Sequence, residues 1–596
     1  MKRYLSVITA ILIAAVLLAG CGGGGGEAGT DGSGTASDGS GQVAGGGIEI
    51  ARDGQTDYVI VNHLSDSDAA REYMTDLTIK TGAQFKLADA APEGGKAIHI
   101  GTAAQLAGLG GTDPGITYTQ YELATDDGGL YISLGAEEFA KEVSSVLRNE
   151  ITKQADGSFV LPAESLGGRN VCAISETVPE FETASGEITD VHDCGSDNYQ
   201  IIYSNMDKAG ADAEIAAYEQ KLKDAGYTLF QENDIMNNRF TTFTKGDTLV
   251  HCNYFYAMHE FRLVYGKLRY LGPEAAVTDF EKKAEPSVSE IGMSASVQCN
   301  VIQLADGSFV VIDGGWGTST PLTYSYTNDA GEKVEQSYYR DHEADMAALW
   351  DFLVRKTPEG EKPQVTWMIT HADPDHICLF PPFVKLHSDE FDLKTIVYNF
   401  PNLYNIRLGS GNSTNDPTTF TGYIDAFLNT ADTYFPDVQH YVYHTGQVLH
   451  LPGCELEFLF AQEDFWPHEM AWMNATSGAW RFNFTDSGKN ALFLGDCEQG
   501  LNNQMAQVFG SYMKSDIFQP AHHGSNGGTL ALYKLVDPEV CFWTCADFPF
   551  YNDNRHTGTK EGWDFNAFLR NSDKIKYHFT NSADHTLIVA TMEEEK

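Results

Sequence analysis

The spacing of hydrophobic and polar residues changes period several times along this chain, and each change predicts a change of element. Tyr58-Val-Ile-Val61 and Ala97-Ile-His-Ile-Gly101 are short apolar runs of the kind that form buried strands, and the amphipathic stretch Ser67–Thr81 between them predicts a helix. Residues 118–123 and 130–134, on either side of Asp126-Asp-Gly-Gly129, predict a hairpin, and residues 136–150 predict a second helix. Further on, residues 211–225 have helical spacing and stop at Gly226. A meander follows over residues 227–230, 239–244, 249–256 and 260–264. From Ile291 the texture becomes a steady alternation. Strands are predicted at 297–303, 308–313, 365–370, 395–398, 456–460, 491–494 and 540–543, with a helix at His342–Lys356. Strands alternating with helices predict an α/β layered domain.

At 596 residues the chain is too long for one core and predicts roughly three or four domains. The divisions fall at 1–21, 22–47, 48–170, 190–270 and 290–596, with residues 272–289, which carry two prolines, as the last linker. Residues 48–170 form a small α/β unit. Their β-α-β-β-α order resembles the accessory domain preceding the catalytic barrel in some glycoside hydrolases, which implies an accessory role. Residues 190–270 form a small α+β module. Neither unit shows a cluster of catalytic side chains, so both read as packing or binding modules.

The N-terminus changes the picture by giving an address. Lys2 and Arg3 precede an apolar run over residues 5–18, which ends in Leu18-Ala19-Gly20-Cys21. The run is shorter than the about 20 residues a membrane span needs. It resembles a bacterial lipoprotein signal, which implies cleavage before Cys21, lipidation of Cys21 and an extracytoplasmic, membrane-anchored protein. Residues 22–47, nearly all Gly, Ser, Ala, Thr and Asp, read as a flexible tether.

Charge narrows the partners. The 83 acidic residues against 39 basic ones leave a net charge of −44, with no basic stripe. Such a surface repels polyanions, although salt screens this beyond about 8 Å. Stable nucleic-acid binding is therefore not expected, while a small anionic ester remains acceptable. Ten scattered cysteines make no disulfide framework, and Cys541-Phe-Trp-Thr-Cys545 lacks the second pair a zinc knuckle requires.

Chemistry concentrates at His371-Ala-Asp373-Pro-Asp375-His376, directly after a predicted buried strand. Four ligand-type side chains within six residues are hard to explain as structure, because burying two carboxylates together costs several kcal/mol each unless a cation neutralises them. Two more apolar runs end in ligand-type residues: Leu492-Phe-Leu-Gly-Asp496 and Phe518-Gln-Pro-Ala-His522-His523-Gly-Ser525. Three strand ends presenting ligands predict a binuclear hydrolytic site.

These motifs, with the upstream Ile312-Asp313-Gly-Gly, resemble the metallo-β-lactamase superfamily in chain order. Asp373 and the His-His-Gly-Ser run look most like the hydrolase domain of ComEC-type DNA-uptake proteins. The resemblance covers residue 291 to the C-terminus and implies an αββα sandwich. It implies two divalent metal ions, zinc or manganese. His371 and Asp373 would hold the first. Asp375, His376 and one of His522 or His523 would hold the second. Asp496 would bridge them, and Asp313 would orient a ligand from behind. It further implies attack by a hydroxide shared between the ions and oriented by Asp375. One departure stands out: where the superfamily has a third first-site histidine, this chain has Asn474, with His468 nearby. The carboxylate at Asp496 resembles the phosphodiesterase and lactonase branches rather than the zinc β-lactamases, while the adjacent Cys497 leaves the register open.

Softer candidates remain. His556 reads either as a substrate or leaving-group contact or as a surface loop residue. His578 and His585 fall in the last strand pair and read as packing, and Phe548, Phe550 and Tyr551 read as core rather than pocket floor. The favoured function is an extracellular, membrane-anchored phosphodiesterase or nuclease-like hydrolase of small or cell-envelope phosphoesters. The alternatives are a lactone or carboxylic-ester hydrolase and, from another class, a catalytically silent surface-binding lipoprotein.

Overall fold

Asp66 starts the helix Ser67–Thr81 by accepting the Asp68 amide, and Gly82 ends it in the left-handed region at φ 74°. That helix and Ala140–Glu150 pack on a mixed sheet. Its strands Leu87–Ala88, Tyr58–Asn62, Lys96–Thr102 and Gly129–Leu134 run parallel, and Gln120–Asp126 and Gly167–Asn170 complete it antiparallel. The computed structural model describes residues 47–110, 120–170, 177–315, 319–402, 417–465 and 473–595, with 112 and 116 singly. Cys21, the leader, almost all of the tether and His468 lie outside the described residues. Among the described residues no helix is long and apolar enough to cross a membrane.

The next sheet begins earlier than periodicity indicates. Strands Glu187–Gly195 and Asn198–Ser204 precede the helix Lys208–Asp224, and four more strands continue the antiparallel sheet to Lys267. Glu-Ile-Thr-Asp-Val-His-Asp-Cys-Gly has little strand propensity; cross-strand pairing overrides it. One continuous apolar cluster joins Val143 and Leu147 of the first unit to Val191, Ile201 and Tyr203 of the second. The two N-terminal units therefore share a core.

The remaining chain forms two large sheets packed face to face. The eight-stranded sheet runs, in space, Gln439–Val442, Asp392–Tyr398, Gln364–Met368, Phe309–Ile312, Asn300–Gln303, Ser287–Glu290, His585–Ile588 and Glu593–Glu594. The seven-stranded sheet runs Val448–Leu451, Cys454–Phe460, Ala479–Phe484, Asn490–Phe493, Ile517–Gln519, Val540–Phe542 and Tyr577–Phe579. Between them lies a fully apolar layer that includes Val310, Ile312, Met368, Trp480, Phe482, Phe493 and Phe542. Helices His342–Lys356 and Phe380–His387 cover the outer face of the first sheet, and Gln499–Phe509 and Leu530–Val536 that of the second. Strands buried on both faces read as continuous hydrophobic runs, which is why periodicity located them so readily.

Two expectations are corrected. The linker over 272–289 ends early, because Ser287–Glu290 is a strand paired with His585–Ile588. His578 and His585 are not a strand pair: His578 lies in the last strand of the seven-stranded sheet, while His585 lies in the other sheet. In addition, a hairpin, Leu322–Thr327 with Lys333–Tyr338, stacks Tyr324 on Phe548 and Tyr326 on Tyr551, whereas Phe550 is buried against Trp543. Mixed polar composition hid that hairpin from pattern reading.

The antiparallel module docks on the seven-stranded sheet through buried Ile235, Phe240 and Phe255, which join the apolar cluster of Leu459, Phe460 and Phe509, and through polar contacts beside them. Buried Arg262 donates to the Asp464 carbonyl at 2.6 Å and lies 3.5 Å from its carboxylate. His251 Nε2 donates to the Thr445 carbonyl at 2.8 Å, and Asn238 Nδ2 to that of Val508 at 3.0 Å. Arg262→Ala removes the guanidinium facing the buried Asp464. Unfolding free energy in urea should fall by about 3–5 kcal/mol; a loss below about 1 kcal/mol, the value of an exposed pair, would show that the face is wet.

Candidate metal centre

Every candidate ligand sits at or just beyond the C-terminal end of a parallel strand, where open α/β sheets leave a crevice. Asp313 follows Phe309–Ile312, His371 follows Gln364–Met368, Asp496 follows Asn490–Phe493, and His522 and His523 follow Ile517–Gln519. Asp373, at the N-cap position, and Pro374 at the first helical position start the short helix Pro374–Ile377, which carries Asp375 and His376.

The hydrogen bonds behind the imidazoles determine their tautomers. The fully buried Asp313 carboxylate accepts the Thr370 amide at 2.7 Å, the Thr370 hydroxyl at 2.7 Å and His376 Nδ1 at 2.8 Å. Because the Thr370 hydroxyl gives its single proton to Asp313, it must accept from His371 Nδ1, 3.0 Å away. His523 Nδ1 donates to the Thr544 carbonyl at 2.9 Å. All three rings thus carry a proton at Nδ1 and turn Nε2, the ligand-type nitrogen, inward.

Those nitrogens face carboxylates. His376 Nε2 and His523 Nε2 lie 3.4 and 3.5 Å from Asp496 Oδ2, and His523 Nε2 lies 3.3 Å from Asp375 Oδ2. His371 Nε2 is 3.5 Å from Asp373 Oδ2. Nε2 of His371, His376 and His523, and Oδ1 of Asp496, are buried without a hydrogen-bond partner. Lone pairs pointing at lone pairs on buried atoms need cations or added protons between them. Ligand atoms sharing a tetrahedral zinc ion lie about 3.4 Å apart, and the ligand atoms of His371, His376 and Asp496, and of Asp375, His376 and His523, lie within 4.8 Å of one another. The residues fit a divalent metal.

Electrostatics follow from the same contacts. Burial alone would lower the His523 and His376 pKa values. Asp496 and Asp375 reverse that, with Asp313 adding to the pull on His376, so His523 rises to about 9 and His376 is raised. Burial opposes the charge on Asp375 and Asp496, yet the surrounding histidines hold Asp375 at about 2 and keep Asp496 lowered. Cys497 points away into the apolar core, donating to the Ser477 carbonyl, so the register resolves in favour of Asp496.

The backbone is strained here. Asp313, His522, His523 and Thr544 have φ of 59°, 55°, 54° and 51°. Left-handed conformations of non-glycine residues cost of order 1–3 kcal/mol each and gather at functional sites. Gly524 at φ 69° closes the tandem-histidine turn where a Cβ would lie 2.4 Å from Trp543.

His556 is buried, not on the surface. Its Nε2 donates to the His523 carbonyl at 2.8 Å, and burial lowers its pKa to about 4, which places it behind the ligand turn. Asn474 does not contact His371 directly; its Nδ2 donates to His522 Nε2 at 3.2 Å. Sequence reading missed four supporting residues: Thr370, Thr544, Ser477, whose hydroxyl accepts the Asp496 amide, and Asn566, which donates to the Gly524 carbonyl at 2.7 Å. Thr370 could have been suspected from its place beside His371. Asn566 carried no signal.

No family model matches the chain, and no curated protein matches it. Among solved structures it is similar to a point mutant of the CmlA β-hydroxylase, at 11% identity over 52% of this chain, with a TM-score of 0.27. The match spans 55% of the hydroxylase's length. It is also similar to human tRNase Z, short form, at 13% identity over 43% of this chain and 91% of that one, with a TM-score of 0.24.

Asp313→Asn keeps the shape but removes the charge behind His376. Divalent-metal affinity should fall about 10–100-fold in competition with a chromophoric chelator, with far-UV circular dichroism unchanged; unaltered affinity would show that Asp313 does not tune the ligand.

Proposed function

We propose that residues 290–596 form a metal-dependent hydrolase of the metallo-β-lactamase type that cleaves phosphoesters, exported and held at the membrane through lipidated Cys21. One observation carries the reading: three imidazoles locked through Nδ1 by Thr370, Asp313 and Thr544 aim their Nε2 atoms at the carboxylates of Asp373, Asp375 and Asp496. Divalent cations held there supply Lewis-acid polarisation of the substrate and activation of water. The mixed nitrogen and oxygen donors suit zinc or manganese.

Asp496 favours phosphorus chemistry. Its Oδ2 lies 3.4 to 3.6 Å from Nε2 of His376, His522 and His523 and its Oδ1 has no hydrogen-bond partner, so this one carboxylate would have donor capacity for more than one cation. A carboxylate shared by two cations suits a displacement in which charge is stabilised on both sides of phosphorus. Asp375 is half-buried, with one face toward the cluster and the other toward solvent, and orients the attacking water. The net charge of −44 favours a small or envelope-attached phosphoester over a long polyanion.

Purified protein lacking the leader should hold metal and turn over bis(p-nitrophenyl) phosphate, lose activity on chelation and regain it with zinc or manganese. Fewer than about one ion per chain and no turnover would sink the reading and favour a binding lipoprotein. Cleavage of lactones alone would move the chemistry to carbon. The double variant Asp375→Ala/His376→Ala should reduce turnover to background while leaving the N-terminal sheets folded.

A further inference from the structure

The tandem histidines do not reach the centre from the same side. His523 is buried, while the His522 side chain is 27% exposed, and their rings stand 6.1 Å apart at 63°. Yet His522 Nε2 and His523 Nε2 lie 3.6 and 3.5 Å from the same atom, Asp496 Oδ2. The carboxylate is flanked by both.

The ligand count makes this meaningful. His376 belongs to both tight groups, but its single Nε2 serves one ion. If that ion is the one beside Asp375 and His523, the group around His371 keeps one imidazole and the carboxylates of Asp373 and Asp496. A zinc-like ion takes four ligands. The remaining imidazole nitrogen beside Asp496 is His522 Nε2, 3.6 Å from Oδ2; its lone pair accepts from Asn474 Nδ2 at 3.2 Å and would exchange that hydrogen bond for a cation. The turn is also tied to the backbone just before Asp496: the His522 amide donates to the Gly495 carbonyl at 3.0 Å, and the Ser525 amide returns to the His522 carbonyl at 2.7 Å. His522 and His523 both hold left-handed backbone, at φ 55° and 54°.

We propose that His522 is a ligand of the first cation, beside His371, Asp373 and Asp496, so that the His522-His523 pair serves two different ions from one turn. Asn474 then positions the His522 ring before the cation binds and yields the Nε2 lone pair to it, rather than filling the ligand position itself. This rests on the two-cation reading above.

The test uses the leaderless protein loaded with zinc or cobalt(II), with metal content measured after dialysis and cobalt absorption recorded in parallel. His522→Gly removes the ring while tolerating the left-handed backbone. Wild type should retain about two ions, and His522→Gly about one, with loss of one component of the cobalt spectrum. Adding Asn474→His places an imidazole in the same space and should restore the lost ion, separating ligand loss from misfolding. Two ions and an unchanged cobalt spectrum in His522→Gly, with a normal wild type, would overturn this proposal alone and leave His522 as a substrate contact. A wild type that holds no metal would overturn the two-cation reading and this proposal together. Failure of Asn474→His to restore the ion, in a variant with native circular dichroism, also counts against His522 acting as a ligand.

Discussion

The Asp313 carboxylate accepts three hydrogen bonds in a place closed to water, and the orientation of the centre follows from them. It takes the amide and hydroxyl of Thr370 and the Nδ1 proton of His376. Because the hydroxyl is committed to Asp313, it accepts from His371, and two imidazoles are fixed by one carboxylate. Asp313 sits on a strand neighbouring and parallel to the one that leads to His371, so ligand geometry is transmitted through sheet register rather than loop flexibility.

Holding several carboxylates and imidazoles together is expensive for the fold, and the backbone adds strain at Asp313, His522, His523 and Thr544. Two apolar layers flank these positions. One fills the space between the sheets, and the other covers the second sheet beneath its helices. Such dense packing keeps the strained turns from relaxing. His556 and Asn566 complete this by binding the carbonyls of His523 and Gly524, so the tandem-histidine turn is restrained from behind on its main chain.

The N-terminal units are more closely attached than a string of modules would be. The first two share an apolar core, and the second lies on the seven-stranded sheet through Arg262, His251 and Asn238. Apolar packing of Ile235, Phe240 and Phe255 accompanies these polar contacts, and one of them reaches an element next to the centre: Val508 is in the helix that follows Asp496.

The buried parallel strands were legible from the sequence because burial on both faces leaves an uninterrupted apolar run, as at Phe309–Ile312 and Asn490–Phe493. Helices Ser67–Thr81 and His342–Lys356 were legible because their caps and periodicity agree. The ligand-type residues His371 to His376, Asp496 and His522-His523 also stood out, since chemistry of that kind rarely follows apolar strands by chance. Strand Glu187–Gly195 and the hairpin from Leu322 to Tyr338 were not legible, because their partners rather than their own composition hold them. Nor was the pairing of His585 with Glu290, which spans almost the whole C-terminal half. Only the tertiary structure decided that Asp496 and not Cys497 faces the cluster, that His556 stands behind His523, and that His522 and His523 flank one carboxylate from two sides. The sequence determined which chemical groups were available at the strand ends. Which nitrogen carries a proton, and which oxygen each lone pair meets, depend on contacts between strands far apart in the chain.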